Sequence, residues 1–358
     1  MVRLCEALAR RGHEVSLLCR ASNAPHVARM DGVRVVPLER RGGLFGGRRG
    51  YVSQVRAALD DGVDVVHVHG LARLAWWLRS PRSRSGAPLV VTAHAADELG
   101  PAATAAGAAP TSRSRRHAAR IRRLLPRADL VTAPSRWFVE RLAAAGAART
   151  QVIGWGPSDD ALASIPPRAF AEDGAFRVLV LARLVPAKGV SVLIDAFARA
   201  FVGEPRARLV VAGEGPEGDA LVARARALGI VERVDFPGYV EGADLVRRLT
   251  EADVVAVPTR GEYETFCCAA LDGAAAGRAL LVAGGGALPE RVEGGAGRVV
   301  LSADPAAWAE ALRSLYEDPR QVESLGCASR MASRTQTWEA VAGRFEEAYA
   351  RSIRGGDS

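Results

Sequence analysis

Residues 178–201 read VLVLARLVPAKGVSVLIDAFARAF. The opening Val178-Leu179-Val180-Leu181 is a continuous apolar run, the pattern of a short strand buried on both faces of a parallel sheet. Over 190–201 the apolar residues fall instead at helical spacing. The intervening RLVPAKG (183–189) therefore occupies a strand-to-helix loop, where open α/β sheets bind ligands. Lys188 within it is the single lysine of the chain, and every other strongly cationic side chain is arginine. Lysine is a compact point charge on a flexible stem, suited to a phosphate oxygen. Position alone leaves that role and a solvated surface lysine equally open.

The alternation extends both ways from this stretch. Downstream of the strand at 176–182, apolar strands are expected at 207–213, 234–240, 252–259, 279–285 and 297–301. Upstream, a helix over 1–12 precedes strands at 13–19, 33–38, 63–70, 88–95, 128–135 and 150–156. The fold class is α/β, with two doubly wound (Rossmann-like) domains. The first is expected over 1–160, a linker containing Pro166 and Pro167 over 161–175, and the second over 176–332. A helical segment follows over 333–358, with Trp338, Val341, Phe345 and Tyr349 on one face.

A chain of 358 residues is long enough for about two packed cores. Its net charge of +8 is carried by arginine, so it reflects either an anionic partner or simply an arginine-rich composition, the plainer reading. No aromatic residues interleave with a basic patch, which argues against a nucleic-acid binder. Two basic segments stand out. The glycine-rich RRGGLFGGRRG (40–50) reads as a flexible loop. SRSRRHAARIRR (112–123) reads as a basic helix, either a peripheral contact with acidic lipid or a solvated face, the latter being simpler. The five cysteines show neither zinc-site spacing nor a secreted disulfide framework. No apolar run approaches a membrane span and no signal peptide is visible, so a reduced, cytoplasmic protein is expected. His67 and His69 alternate on one strand and share a face, but no third ligand accompanies them, so packing is expected there rather than a metal site.

The densest chemistry lies in GEYETFCCAALDGAAAGRALLV (261–282). Glu264 and Asp272 stand eight apart, close to one face of a helix after two turns. With Glu264 in the first turn, the amides of Thr265 and Phe266 would point out of the helix N-terminus, an anion-binding end. Asp272 would accept hydrogen bonds from the vicinal hydroxyls of a ribose. Gly213 and Glu214 in GEGP (213–216) and Glu290 in the turn after 279–285 are further candidates near a nucleotide.

RLVPAKG, GEGP, the E-x7-D spacing of 264–272 with AAG at 275–277, and GGALPERVEGGAG (285–297) form an ordered set. Together they resemble the donor domain of retaining GT-B glycosyltransferases, family 4. ALARRGHEV (7–15), DVVHVHG (64–70), VVTAHAAD (90–97) and the terminal TWEAVAGRFEEAY (337–349) extend the resemblance over nearly the whole chain. It implies two domains facing across a cleft, with the last helix crossing back onto the first. It implies transfer of a sugar, with retention and without a metal or other cofactor, from a UDP-, GDP- or ADP-sugar to the hydroxyl of an unidentified acceptor. Arg183 and Lys188 would contact the diphosphate, Glu264 a hydroxyl of the donor sugar, and Asp272 the ribose. His94, by itself readable as a core histidine at a strand end, would lie in the cleft beside the transferred sugar. The alternatives are a non-catalytic nucleotide-sugar-binding partner subunit and a nucleotide-sugar epimerase.

The sequence departs from the pattern in four places. Asp272 replaces a glutamate, Thr265 stands where glycine is usual, and GWGPSDD (154–160) replaces an Asn-Gly hinge. The fourth is the opening: the family begins with a strand and a glycine-rich turn, whereas this sequence begins at the helix. Either its natural start lies upstream or neighbouring strands close the gap. Lys188→Ala is expected to abolish transfer while leaving stability nearly intact.

Overall fold

A computed structural model describes residues 1–23, 30–38, 54–55, 62–72, 86–99, 112–166 and 174–355. The glycine-rich segment 40–50 and the part of the linker containing Pro167 lie outside the described residues.

Among the described residues twelve strands are interspersed with helices, and each coincides with one of the apolar runs. In the first half these are β1 (Val15–Arg20), β2 (Val33–Leu38), β3 (Val66–His69), β4 (Leu89–Thr92), β5 (Leu130–Ala133) and β6 (Thr150–Val152). The second half holds β7 (Phe176–Leu181), β8 (Ala207–Ala212), β9 (Val234–Gly238), β10 (Val254–Val257), β11 (Ala279–Ala283) and β12 (Gly297–Val300). The helices among the described residues are α1 (Val2–Arg10), α2 (Ser112–Leu124), α3 (Arg136–Ala144), α4 (Val190–Ala200), α5 (Gly218–Ala227), α6 (Gly242–Glu251), α7 (Cys268–Ala275), α8 (Pro305–Glu317), α9 (Pro319–Ser333) and α10 (Trp338–Arg354).

The second half is one parallel sheet in the order β12-β11-β10-β7-β8-β9. From β7 the chain winds outward through β8 and β9, then returns to β10 on β7's other side. The β7/β10 boundary is thus a topological switch point, where helices on opposite faces leave a crevice at the strand ends. One face packs α4, α5 and α8 through Leu193, Phe197, Leu221 and Trp308, and the other packs α6 and α7 through Leu249 and Ala274.

The first half differs from the single sheet expected. Among the described residues β1 pairs only with β2, β3-β4-β5-β6 form a separate four-stranded parallel sheet, and β1 and β3 do not pair with one another. Side chains rather than a backbone ladder join the two sheets. Leu4, Ala7 and Leu8 of α1 and Val341, Ala342, Phe345 and Ala348 of α10 pack with Val90, Leu130 and Ile153, and Val15 and Val65 border the cluster. The apolar stripe read from the last helix is the face that α10 buries there. Arg10–Glu339 and Arg11–Glu346 ion pairs run along the α1/α10 seam.

The described start of the linker is more ordered than a proline-rich stretch implies. Asp160–Ser164 forms a short 3-10 turn, and Leu162 and Ile165 are buried against the second sheet. The guanidinium of Arg278, itself buried, donates to the carbonyls of Pro166, Ala252 and Ala276. α2 is a helix, as expected; it buries Ala118 and Ile121, exposes Arg115 and Arg123, and Arg122 donates to the Leu99 carbonyl. Among the described residues no helix is long and apolar enough to cross a membrane.

Candidate active site

The loops leaving β7 and β10 meet because a glycine allows it. Gly189 caps the Pro186–Lys188 turn with φ 64°, and a Cβ there would stand 2.1 Å from the Pro258 carbonyl oxygen. Only a residue without a side chain combines that left-handed backbone with so close an approach. The Arg260 amide donates to the Ala187 carbonyl at 2.8 Å, fastening the two loops together.

This contact sets the first part of the site. The Lys188 ammonium is ion-paired with Glu264 Oε1, and both side chains are mostly buried, at 15% and 11% exposure. Thr259 Oγ1 donates to the same carboxylate oxygen at 3.1 Å. Arg183 donates to the Tyr263 hydroxyl, and the Lys188 ammonium lies 5.0 Å from the Tyr263 ring centre. Two cations, a carboxylate and a phenol therefore converge at the switch point. Arg183, Lys188, Glu264, Thr265 and Phe266 line a cavity of about 330 Å3 whose facing wall is His94, Pro134 and Trp155 of the first half.

His94 lies beyond β4, in the cleft and not in a core. His69 Nδ1 is 3.1 Å from His94 Nε2, and the Trp155 ring meets His94 edge-on at 4.9 Å. Behind them His67 is paired with the Tyr349 hydroxyl and with Thr92 Oγ1, each at 2.7 Å. Burial, with the nearby His94 second, lowers the His67 pKa to about 3. Among the described residues no group of three His, Cys, Asp or Glu side chains is arranged to hold a metal.

Several expectations for this region need correction. α7 begins at Cys268 with Cys267 as its N-cap, so Glu264, Thr265 and Phe266 precede the helix and do not form its first turn. The Thr265 and Phe266 amides are therefore not helix-end donors. The Thr265 hydroxyl donates to the His94 carbonyl at 2.8 Å and ties the two halves together. Phe266 is an aromatic wall, near-parallel to Trp155 at 6.1 Å, with the Arg291 guanidinium 4.5 Å from its ring centre. Glu290 does not approach the crevice. Its two oxygens accept from the amides of Arg136 (3.0 Å) and Trp137 (2.7 Å), capping α3 of the other half. A carboxylate at a helix N-terminus is favoured by the free amides and the helix dipole, and sequence spacing cannot show that the helix belongs to the other domain.

Asp272 is buried on α7 and does not line the cavity. Its Oδ1 accepts from the Ser158 amide at 2.7 Å and its Oδ2 from the Ser158 hydroxyl at 2.6 Å. Burial pushes its pKa up, against the pull of those two bonds. Gly213 and Glu214 stand at the end of β8, next to β7 but outside the cavity wall. The Gly213 amide donates to the Gly238 carbonyl, and Glu214 is exposed.

Sequence reasoning missed Tyr263, Thr259, Trp155, Ser158 and the vicinal Cys267–Cys268. The aromatic residues were visible in GEYETF and GWGPSDD, but nothing local aims them. Cys267 is the single non-glycine residue at positive φ (69°) among the described residues. Such a conformation costs on the order of 1 kcal/mol for a side chain with a Cβ. Burial raises the pKa of the Cys267 thiol, which keeps it protonated and weakly nucleophilic near neutral pH, whereas Cys268 beside it is exposed.

Comparison with known proteins agrees with this architecture. Residues 175–318 match the family described as glycosyl transferases group 1, and residues 1–156 match a glycosyl transferase 4-like domain. The chain is 29% identical to the D-inositol 3-phosphate glycosyltransferase of Segniliparus rotundus, over 98% of this chain and 83% of that protein. It is 30% identical to the protein of the same name from Actinosynnema mirum, over 98% of this chain and 91% of the relative. Sucrose-phosphate synthase from Thermosynechococcus elongatus has a similar structure (TM-score 0.79, 22% identity, 99% and 92% of the two chains). So has Anabaena HepE in complex with UDP-glucose (TM-score 0.76, 21% identity, 98% and 96%). The fold is thus GT-B, two Rossmann-like domains across a cleft, and the chain belongs to the group 1 glycosyltransferases.

Proposed function

We propose that the chain transfers a sugar from a nucleoside-diphosphate sugar to an acceptor hydroxyl, with retention at the anomeric carbon and without a metal ion. The observation that carries this reading is the Lys188–Glu264 pair beside Arg183, set at the switch point and facing His94 across the cleft. Departure of the nucleoside diphosphate builds negative charge on its β-phosphate. Lys188 and Arg183 are held where that charge develops, and fixed cations in a partly desolvated site stabilise it without rearranging. When the diphosphate takes Lys188, Glu264 is released to accept from a hydroxyl of the donor sugar. His94 orients the sugar from the opposite wall.

The ribose hydroxyls replace the Ser158 amide and hydroxyl as donors to Asp272, and Gly213 and Glu214 lie toward the base. The retaining outcome rests on the resemblance of RLVPAKG and the E-x7-D spacing to the retaining family, and Anabaena HepE, a structural neighbour, is complexed with UDP-glucose. The test is thermal shift of the purified chain with UDP-, GDP- and ADP-sugars. One nucleotide series should raise the melting temperature in wild type but not in Lys188→Ala. No shift with any of them at millimolar concentration would overturn the reading.

A further inference from the structure

The cavity has two unlike walls. Lys188, Arg183 and Glu264 make a charged one, and His94, Trp155 and Phe266 an aromatic one. The mechanism uses the charged wall for the diphosphate and His94 for orientation, but it gives Trp155 no task. Trp155 lies in GWGPSDD, the segment that departs from the family's hinge pattern. Its indole stands edge-on to His94 at 4.9 Å (89°) and near-parallel to Phe266 at 6.1 Å (27°).

The backbone carrying this indole is held firmly. A Cβ on Gly156 would stand 2.6 Å from the Trp338 ring, so the chain beside Trp155 is pressed onto α10. The next carbonyl, that of Pro157, accepts from Trp338 Nε1 at 2.8 Å and from Arg3 Nη1 at 3.3 Å. The indole therefore cannot retreat from the cavity by a shift of its main chain without breaking these contacts.

We propose that Trp155 is a specificity-determining residue that limits the size of the transferred sugar. This rests on the nucleotide-sugar reading above. With the diphosphate on Lys188 and Arg183, the sugar is the part of the donor that meets the aromatic wall. The indole narrows the part of the cavity that the sugar enters, so an unsubstituted hexose has room beside it that a hexose bearing an N-acetyl group lacks. Close-packed side chains do not yield such space cheaply.

The experiment measures, by calorimetry, dissociation constants of the bare nucleotide, its hexose donor and its N-acetylhexosamine donor. It does so for wild type, Trp155→Ala and Trp155→Phe. Wild type should favour the hexose donor. Trp155→Ala should narrow that preference about tenfold or more, the scale of discrimination by one substituent in a pocket, with Trp155→Phe between them. If both variants bind the bare nucleotide yet keep the wild-type ratio, the inference is overturned while the transferase reading stands. If wild type binds no nucleotide at all, the transferase reading falls and takes the inference with it.

Discussion

Replacing Lys188 by alanine tests the site most directly, and the structure changes what that variant should do. From sequence, Lys188 was expected to be dispensable for stability. In the folded chain it neutralises Glu264, whose side chain is 11% exposed. Without the ammonium, that carboxylate keeps only the Thr259 hydroxyl among its named partners. Stranding one member of a deeply buried pair costs about 3–5 kcal/mol. Here the pair lines a cavity that water can enter, so the lower cost of about 1–3 kcal/mol for an under-satisfied polar group applies. At about 2–4 °C per kcal/mol for a domain of this size, a loss of 2 kcal/mol lowers the melting temperature by about 4–8 °C. Turnover should fall about 10²–10³-fold or more, the usual effect of removing one charge-stabilising donor. Differential scanning fluorimetry and a donor-hydrolysis or transfer assay read the two effects separately. Lys188→Ala/Glu264→Gln should recover much of the stability and none of the activity. A melting temperature within about 1 °C of wild type refutes the ion-pair argument, and turnover within about tenfold of wild type refutes the phosphate role.

Three further outcomes follow from the geometry. Ser158→Ala removes the hydroxyl that competes for Asp272, so nucleotide affinity should rise up to about tenfold by calorimetry; unchanged or weaker binding counts against ribose at Asp272. Glu290→Ala uncaps α3 across the cleft and should cost about 1–2 kcal/mol in chemical denaturation; an unaltered midpoint would show that the two amides find water instead. His67 has a folded pKa near 3 against 6.5 in an exposed chain. Between those values the unfolded chain binds a proton that the folded one does not, so stability falls as pH drops below 6.5. The loss between pH 6.5 and 5 is about 2 kcal/mol, and His67→Gln should flatten that part of the pH–stability curve; parallel curves would reject the assignment.

The secondary-structure elements were legible in the sequence, and so were several of the residues that the fold gathers at the switch point. Continuous apolar runs such as 178–181 and 254–257 have one low-energy home, a strand covered on both faces, so the twelve strands among the described residues were legible. The lone lysine of RLVPAKG and the acid at Glu264 were readable because loop chemistry at strand ends is local. Which distant groups share a partner was set by the packing of the folded chain. Hydrogen bonds form between whatever the fold juxtaposes, regardless of separation along the chain. Ser158 therefore claims Asp272, Glu290 caps a helix 150 or so residues away, and Thr265 bonds to His94 instead of facing a phosphate. The division of the first sheet is of the same kind: backbone pairing needs strand edges in register, and α1 and α10 join β1 and β3 through side chains instead.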